Sequence, residues 1–240
     1  MIRSVTVCVD YSDILELTLP YNKHFISETI IVTAEHDTRT IEVAQQHGAQ
    51  CHVTDAFYRR NAAFNKFYAI EEALDVFGRH GWILLMDADI AIPQLHHPFI
   101  PQMGYIYTPH RRVMEVYKDG IPEERRWRQF KRPKANEEFS GYFQLFNAAD
   151  PVLVRAPWHS VIWRIAGGND MKFYNKWPVT KQVRPPFEVL HLGPPFVNWA
   201  GRVSPYRDGT IDPRAKERAD IREAETRIKK FQGPLRRSKK

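Results

Sequence analysis

Trp82-Ile83-Leu84-Leu85-Met86-Asp87-Ala88-Asp89 is the stretch that decides the fold. Five apolar residues run without polar alternation and then release two acids. A strand of this kind is covered on both faces, as strands of parallel sheets are. The segments before it alternate between two periodicities. Ser4–Val9, Glu28–Ala34 and Gln50–Thr54 read as strands, and Ile14–Phe25 and Thr40–His47 as helices, the second stopped by Gly48. Asn61–Phe77 sets Phe67, Ile70, Leu74 and Phe77 on one helical stripe that ends at Gly78. Strand–helix alternation with short connections predicts an α/β fold: a mostly parallel, Rossmann-like sheet flanked by helices.

After Pro93 the pattern breaks. Prolines at 93, 98, 101, 109, 122 and 133 make this region loop-rich, with a strand expected near Tyr105–Thr108. Phe139–Asn147 reads as a strand, Trp158–Ala166 as a short helix and Glu188–His191 as a last strand. Asp212-Pro213 starts a helix, with Asp as cap and Pro in the first turn. Ile221, Ala224, Ile228 and Phe231 form its narrow stripe until Gly233-Pro234. The expected organisation is one catalytic domain over residues 1–211, followed by a basic C-terminal helix and tail over 212–240.

Composition narrows the class. The 240 residues are 43% hydrophobic, enough to bury a sizeable core and to exclude global disorder. No apolar run is long enough to span a bilayer. The first residues lack the apolar core of a secretory leader, and the only cysteines are Cys8 and Cys51, so a cytoplasmic protein is expected. The net charge of +7 equals that of residues 213–240 alone, which hold eleven Lys/Arg against four acids. A second basic run, Arg111–Lys134, interleaves Tyr117, Trp127 and Phe130. Cations with interspersed rings suit a nucleic-acid groove, whereas charge alone reads equally well as a solvated face and tail.

In an open parallel sheet, ligands bind beyond the carboxyl ends of the strands. Asp87 and Asp89 are delivered to that edge, where two carboxylates can face one hard divalent cation, Mn²⁺ or Mg²⁺. A solvated turn would leave both acids without compensation after a wholly apolar strand.

With LLMDADIAIP closing a strand–helix alternation over residues 4–90, the chain resembles the nucleotide-sugar-dependent glycosyltransferases of the GT-A fold. The resemblance implies that Asp89 is a direct metal ligand and that Asp87 contacts ribose or metal. The stretch from His191 to Trp199 is similar to the family's His-x-x-Gly-x-x-Lys-Pro-Trp signature, which implies His191 as third ligand. Here Gly193 comes one position early and Asn198 replaces the basic residue. A hydrogen-bonded core histidine is the other reading of His191. Ala166-Gly-Gly-Asn-Asp170 resembles the acceptor loop, which would place Asp170 at the sugar's anomeric carbon, as general base or as a stabiliser of positive charge; a helix cap is the plainer role. Asp10, Tyr11 and Glu35 fall where the family binds the base of a UDP-sugar, and Lys66 where it holds the diphosphate or sugar. Each also reads as a turn or cap residue.

The expected activity is metal-dependent transfer of a sugar from a nucleotide diphosphate to a hydroxyl. The basic runs favour a hydroxymethylated base in DNA as acceptor, similar in function to small phage enzymes that glycosylate such bases. A glycan or protein acceptor, a nucleotidyltransferase, and a nucleic-acid-binding protein without catalysis are the alternatives. The nucleotidyltransferase would want a Gly-rich, basic loop after the first strand, and VDYSDIL is not one.

Overall fold

The computed structural model describes residues 1–134, 140–194 and 197–231. Strand β4 (Trp82–Asp87) is central, with Ile83, Leu84, Leu85 and Met86 all buried. It pairs in parallel with β1 (Ile2–Val7), in a register that sets Val7 beside Asp87. Outward from β1 lie β2 (Glu28–Thr33) and β3 (Gln50–Val53), both parallel. On its other side β4 meets antiparallel β8 (Phe143–Asn147), then β6 (Ile106–Tyr107) and β9 (Gln182–Val183). The seven-stranded order is therefore β3-β2-β1-β4-β8-β6-β9. The α/β class with a mostly parallel sheet is borne out.

Helices cover both faces. Helix α3 (Lys66–Phe77) sets Phe67, Ile70 and Leu74 against Val5, Val7, Ile30 and Val32. Helices α1 (Ser12–Tyr21) and α2 (Thr38–Gln46) set Leu15, Leu19, Val43 and Ala44 against Cys8 and Ile31 on the opposite face. Each fully buried side chain of this size contributes about 1.5–3 kcal/mol relative to exposure. A second, three-stranded sheet stands beyond the end of β4. In it β10 (Glu188–Leu192) lies between antiparallel β5 (Ile90–Ala91) and parallel β7 (His110–Met114).

Several expectations are corrected. Helix α3 starts at Lys66 instead of Asn61, because Arg60 and Asn61 hold positive φ and Asn65 caps the helix by accepting from the Tyr68 amide at 3.1 Å. Trp158–Ala166 is not a helix. The amides of Trp158 and His159 donate to the buried Glu71 carboxylate, each at 2.9 Å, and the Arg164 carbonyl accepts from Ala63 and Phe64. Those partners replace a helical ladder. Strand β7 lies within the run read as a groove, and its rings do not face solvent. Tyr117 and Trp127 are buried with Ile14, Ala91, Met114, Leu190 and Leu192, and Phe130 packs against the same cluster. Arg111 is buried too, while Arg112 and Arg132 both pair with Glu188.

Helix α5 (Ala215–Phe231) begins at Ala215, two residues past the expected Pro213, and the Asp212 carboxylate accepts from the Arg214 amide at 2.7 Å in the turn that leads into it. Its Arg218 returns to the start of the chain, pairing with Asp10 at 2.5 Å and donating to the Arg202 carbonyl at 2.8 Å. The helix stop at Gly233-Pro234 and the basic residues Arg236, Arg237, Lys239 and Lys240 lie outside the described residues, as does Phe139 at the start of the strand expected there.

Candidate active site

A cavity of about 430 Å³ opens where β1 and β4 end. Six of the expected site residues line it: Tyr11, Lys66, Asp87, Asp89, Asp170 and His191. Asp10 and Glu35 do not. Glu35 is exposed on the surface. Asp10 lines a neighbouring cavity of about 250 Å³ with Tyr58, Arg214 and Arg218, which shares Val9, Phe64 and Gly201 with the first.

The turn that carries the two acids is clasped by α1 and the residue that follows it. Thr18 donates to the Ala88 carbonyl at 2.6 Å, and the buried Asn22 side chain donates to the Ile90 carbonyl and accepts from the Ile92 amide, each at 2.8 Å. Asp87 forms an ion pair with Lys66, the first residue of α3. Burial opposes the lysine's charge, yet Asp87, with Asp170 and Asp89 behind it, holds the ammonium above its ordinary range. Asp89 turns the other way, into the small sheet. Its Oδ2 lies 3.1 Å from His191 Nε2, and its carbonyl accepts from the Leu192 amide at 2.8 Å. Burial works against ionisation of Asp89, but His191, Lys66 and Arg111 keep its carboxyl below the usual range.

Asp170 opens the short helix α4 (Asn169–Tyr174) after the Gly167-Gly168 turn. Its Oδ1 accepts from the Gly168 amide at 3.1 Å, and Gly141 packs directly against its carboxylate. Burial pushes its carboxyl up, Asp87 adds to this, and Lys66 opposes it. A buried carboxyl raised in this way is suited to take a proton.

Two arginines in the cavity wall were not legible as site residues. Arg111, on β7, donates to His191 Nδ1 at 3.1 Å and stands over the Tyr142 ring at 4.5 Å. Arg202 is wholly buried, pairs with Asp13 on α1, and lies between the rings of Tyr11 (4.6 Å) and Tyr206 (4.1 Å). Asn198, just before Trp199, accepts from the Val203 and Ser204 amides and so shapes the loop that delivers Arg202.

The donors suit a hard cation only in part. Asp89 Oδ1 is buried and has no hydrogen-bond partner among the described residues, an arrangement that a bound cation would relieve. Among the described residues, however, no three His, Cys, Asp or Glu side chains are grouped to hold a metal ion between them. A cation here would take most of its shell from a ligand's phosphate oxygens and water, as Mg²⁺ commonly does.

The sequence matches no family model and no curated protein. Among solved structures the chain is similar to glucosyl-3-phosphoglycerate synthase from Mycobacterium tuberculosis in complex with Mn²⁺, UDP and glucosyl-3-phosphoglycerate, at 16% identity and a TM-score of 0.34 over 47% of this chain and 44% of that one. The matched region thus spans less than half of the synthase. The same enzyme with Mg²⁺ and UDP aligns with the same values. The inositol-1-phosphate CTP transferase from T. maritima is similar at 9% identity and a TM-score of 0.48, over 80% of this chain and 89% of that one. Among the described residues no helix is long and apolar enough to cross a membrane.

Proposed function

We propose that the chain transfers a sugar from a nucleotide diphosphate, with a UDP-sugar as donor, to a hydroxyl acceptor, and that the 430 Å³ cavity is where it does so. The observation that carries this reading is the convergence of Asp87, Asp89, Asp170 and Lys66 on one cavity at the strand ends, with Asp89 Oδ1 left unpartnered. Mn²⁺ or Mg²⁺ held at Asp89 would neutralise charge on the departing diphosphate. Lys66 balances the same charge from the opposite wall, and Asp87 orients the Lys66 ammonium or the donor's ribose. Tyr11, steadied by Arg202, offers a ring to the base. As the bond from the anomeric carbon to the diphosphate oxygen breaks, its electrons leave with the diphosphate. The acceptor oxygen bonds to that carbon, and its proton passes to Asp170.

A hydroxymethylated DNA base keeps the exposed Arg125, Arg126 and Arg128 in its favour, but loses Tyr117 and Trp127 as stacking surfaces because both are core residues. The test of the donor site is calorimetric titration of UDP with and without Mn²⁺, on the wild type and Asp89→Ala. Binding that needs Mn²⁺ and is lost in the variant supports the reading; equal binding in excess chelator removes it. A preference for a nucleoside triphosphate, with release of pyrophosphate, would move the chain to the nucleotidyltransferases.

A further inference from the structure

We infer that Arg111 locks His191 in the tautomer with its proton on Nε2, so that His191 serves Asp89 as a hydrogen-bond donor and is not a ligand of a cation bound there. Arg111 Nη1 lies 3.1 Å from His191 Nδ1, and the residue is only 3% exposed. A guanidinium has donors and no acceptor, so Nδ1 must supply the lone pair. A neutral imidazole with Nδ1 accepting carries its proton on Nε2, and that nitrogen lies 3.1 Å from Asp89 Oδ2. The chain of donation therefore runs one way, from Arg111 through His191 to Asp89. It leaves Asp89 Oδ1 as the oxygen without a partner.

For Nε2 to bind a cation, the proton would have to move to Nδ1 and face the arginine's own N–H inside the protein. Arg111 is not free to yield. Strand β7 pairs with β10 along its length, with Arg111 beside Val189, and the guanidinium lies 4.5 Å from the Tyr142 ring. Arg111 is thus a positioning residue, which fixes Asp89 through His191. The cation half of this inference rests on the proposed donor site; the tautomer half does not.

The test uses the full chain labelled with ¹⁵N-histidine, first in excess chelator. Long-range proton–nitrogen spectra, with His191 assigned by its loss in His191→Gln, are expected to show Nδ1 unprotonated and Nε2 protonated. Arg111→Lys, which keeps a donor, retains that pattern, whereas Arg111→Met gives a mixture of tautomers. With Mn²⁺ added, pulsed electron paramagnetic resonance should detect no directly bound nitrogen. His191→Gln, whose amide can accept from Arg111 and donate to Asp89, should keep Mn²⁺ affinity within about threefold, and His191→Ala should lose about tenfold. A protonated Nδ1 in the cation-free wild type, or a direct manganese–nitrogen coupling, overturns the inference. Failure of Mn²⁺ to bind at all removes the donor-site reading, and the tautomer spectra still decide the role of Arg111.

Discussion

A single methyl group at Gly141 tests whether Asp170 stands at the reacting carbon. A Cβ at that position would lie 2.0 Å from Asp170 Oδ2, 2.8 Å from its Cγ and 2.9 Å from its Cβ. Gly141 does not have a left-handed φ, so alanine fits the backbone and the strain falls on the contact. Restoring 3.4 Å of separation requires the carboxylate oxygen to retreat by about 1.4 Å, the difference from 2.0 Å. That movement breaks or weakens the bond from the Gly168 amide, and overpacking of this kind costs about 1–3 kcal/mol. Displacing a reacting group by about 1 Å can cost about 100-fold in rate. Gly141→Ala should therefore keep UDP affinity and a melting transition lowered by only several degrees, while sugar transfer falls about 100-fold. The assay pairs calorimetric donor binding with turnover on one preparation. A folded Gly141→Ala protein that turns over within twofold of the wild type would show that the position of Asp170 is irrelevant to the chemistry.

Lys66→Met removes the partner of Asp87, whose side chain is 35% exposed and so partly screened by water. We expect a stability loss of about 1–2 kcal/mol by chemical denaturation and a larger loss of UDP affinity, since the proposed donor site sets the lysine against the diphosphate. Asp170→Asn should reduce turnover strongly with donor binding intact. Because burial raises the folded-state value of Asp170, the wild type should lose stability as pH rises from the ordinary carboxylate range through that raised value. Asp170→Asn should flatten that limb in denaturation curves taken across the same range. The acid limb of wild-type turnover should fall at a pH above that of an ordinary carboxylate, and a limb at the ordinary position would argue against Asp170 as base. Arg202→Lys leaves Asp13 and several carbonyls short of donors in a wholly buried setting, so a loss of about 3–5 kcal/mol is expected by denaturant titration. UDP affinity should fall with it, as Tyr11 loses the cation stacked on its ring.

What could be read in advance was what local sequence encodes. The uninterrupted WILLM run fixed the centre of the sheet, and the acids after it had to emerge at a strand end. Asp170 was marked by its two glycines. His191 ended the strand expected over Glu188–His191, which in the structure runs one residue further, to Leu192. Arg111 and Arg202 were missed because their surroundings come from distant parts of the chain: β10 brings His191 beside β7, and Asp13 precedes Arg202 by 189 residues. Tyr117 and Trp127 misled for the same reason. Alternation of charge and rings looks alike on a groove and on an amphipathic cover, and partners far off in sequence, among them Ile14, Ala91 and Leu190, show that the rings are core. Trp158–Ala166 has helical spacing, but Glu71 takes its first amides.

The long reach of Arg218 also sets an order in time. Asp10 and Asp13 leave the ribosome well before the cations that neutralise them, which lie 208 and 189 positions later. At synthesis rates of about 5–20 residues per second, the mouth of the first strand carries unmatched negative charge for roughly 10–40 s. The strand end beside the cavity thus stays negative while the chain is still being made, and its charge is balanced only once Arg202 and α5 have arrived.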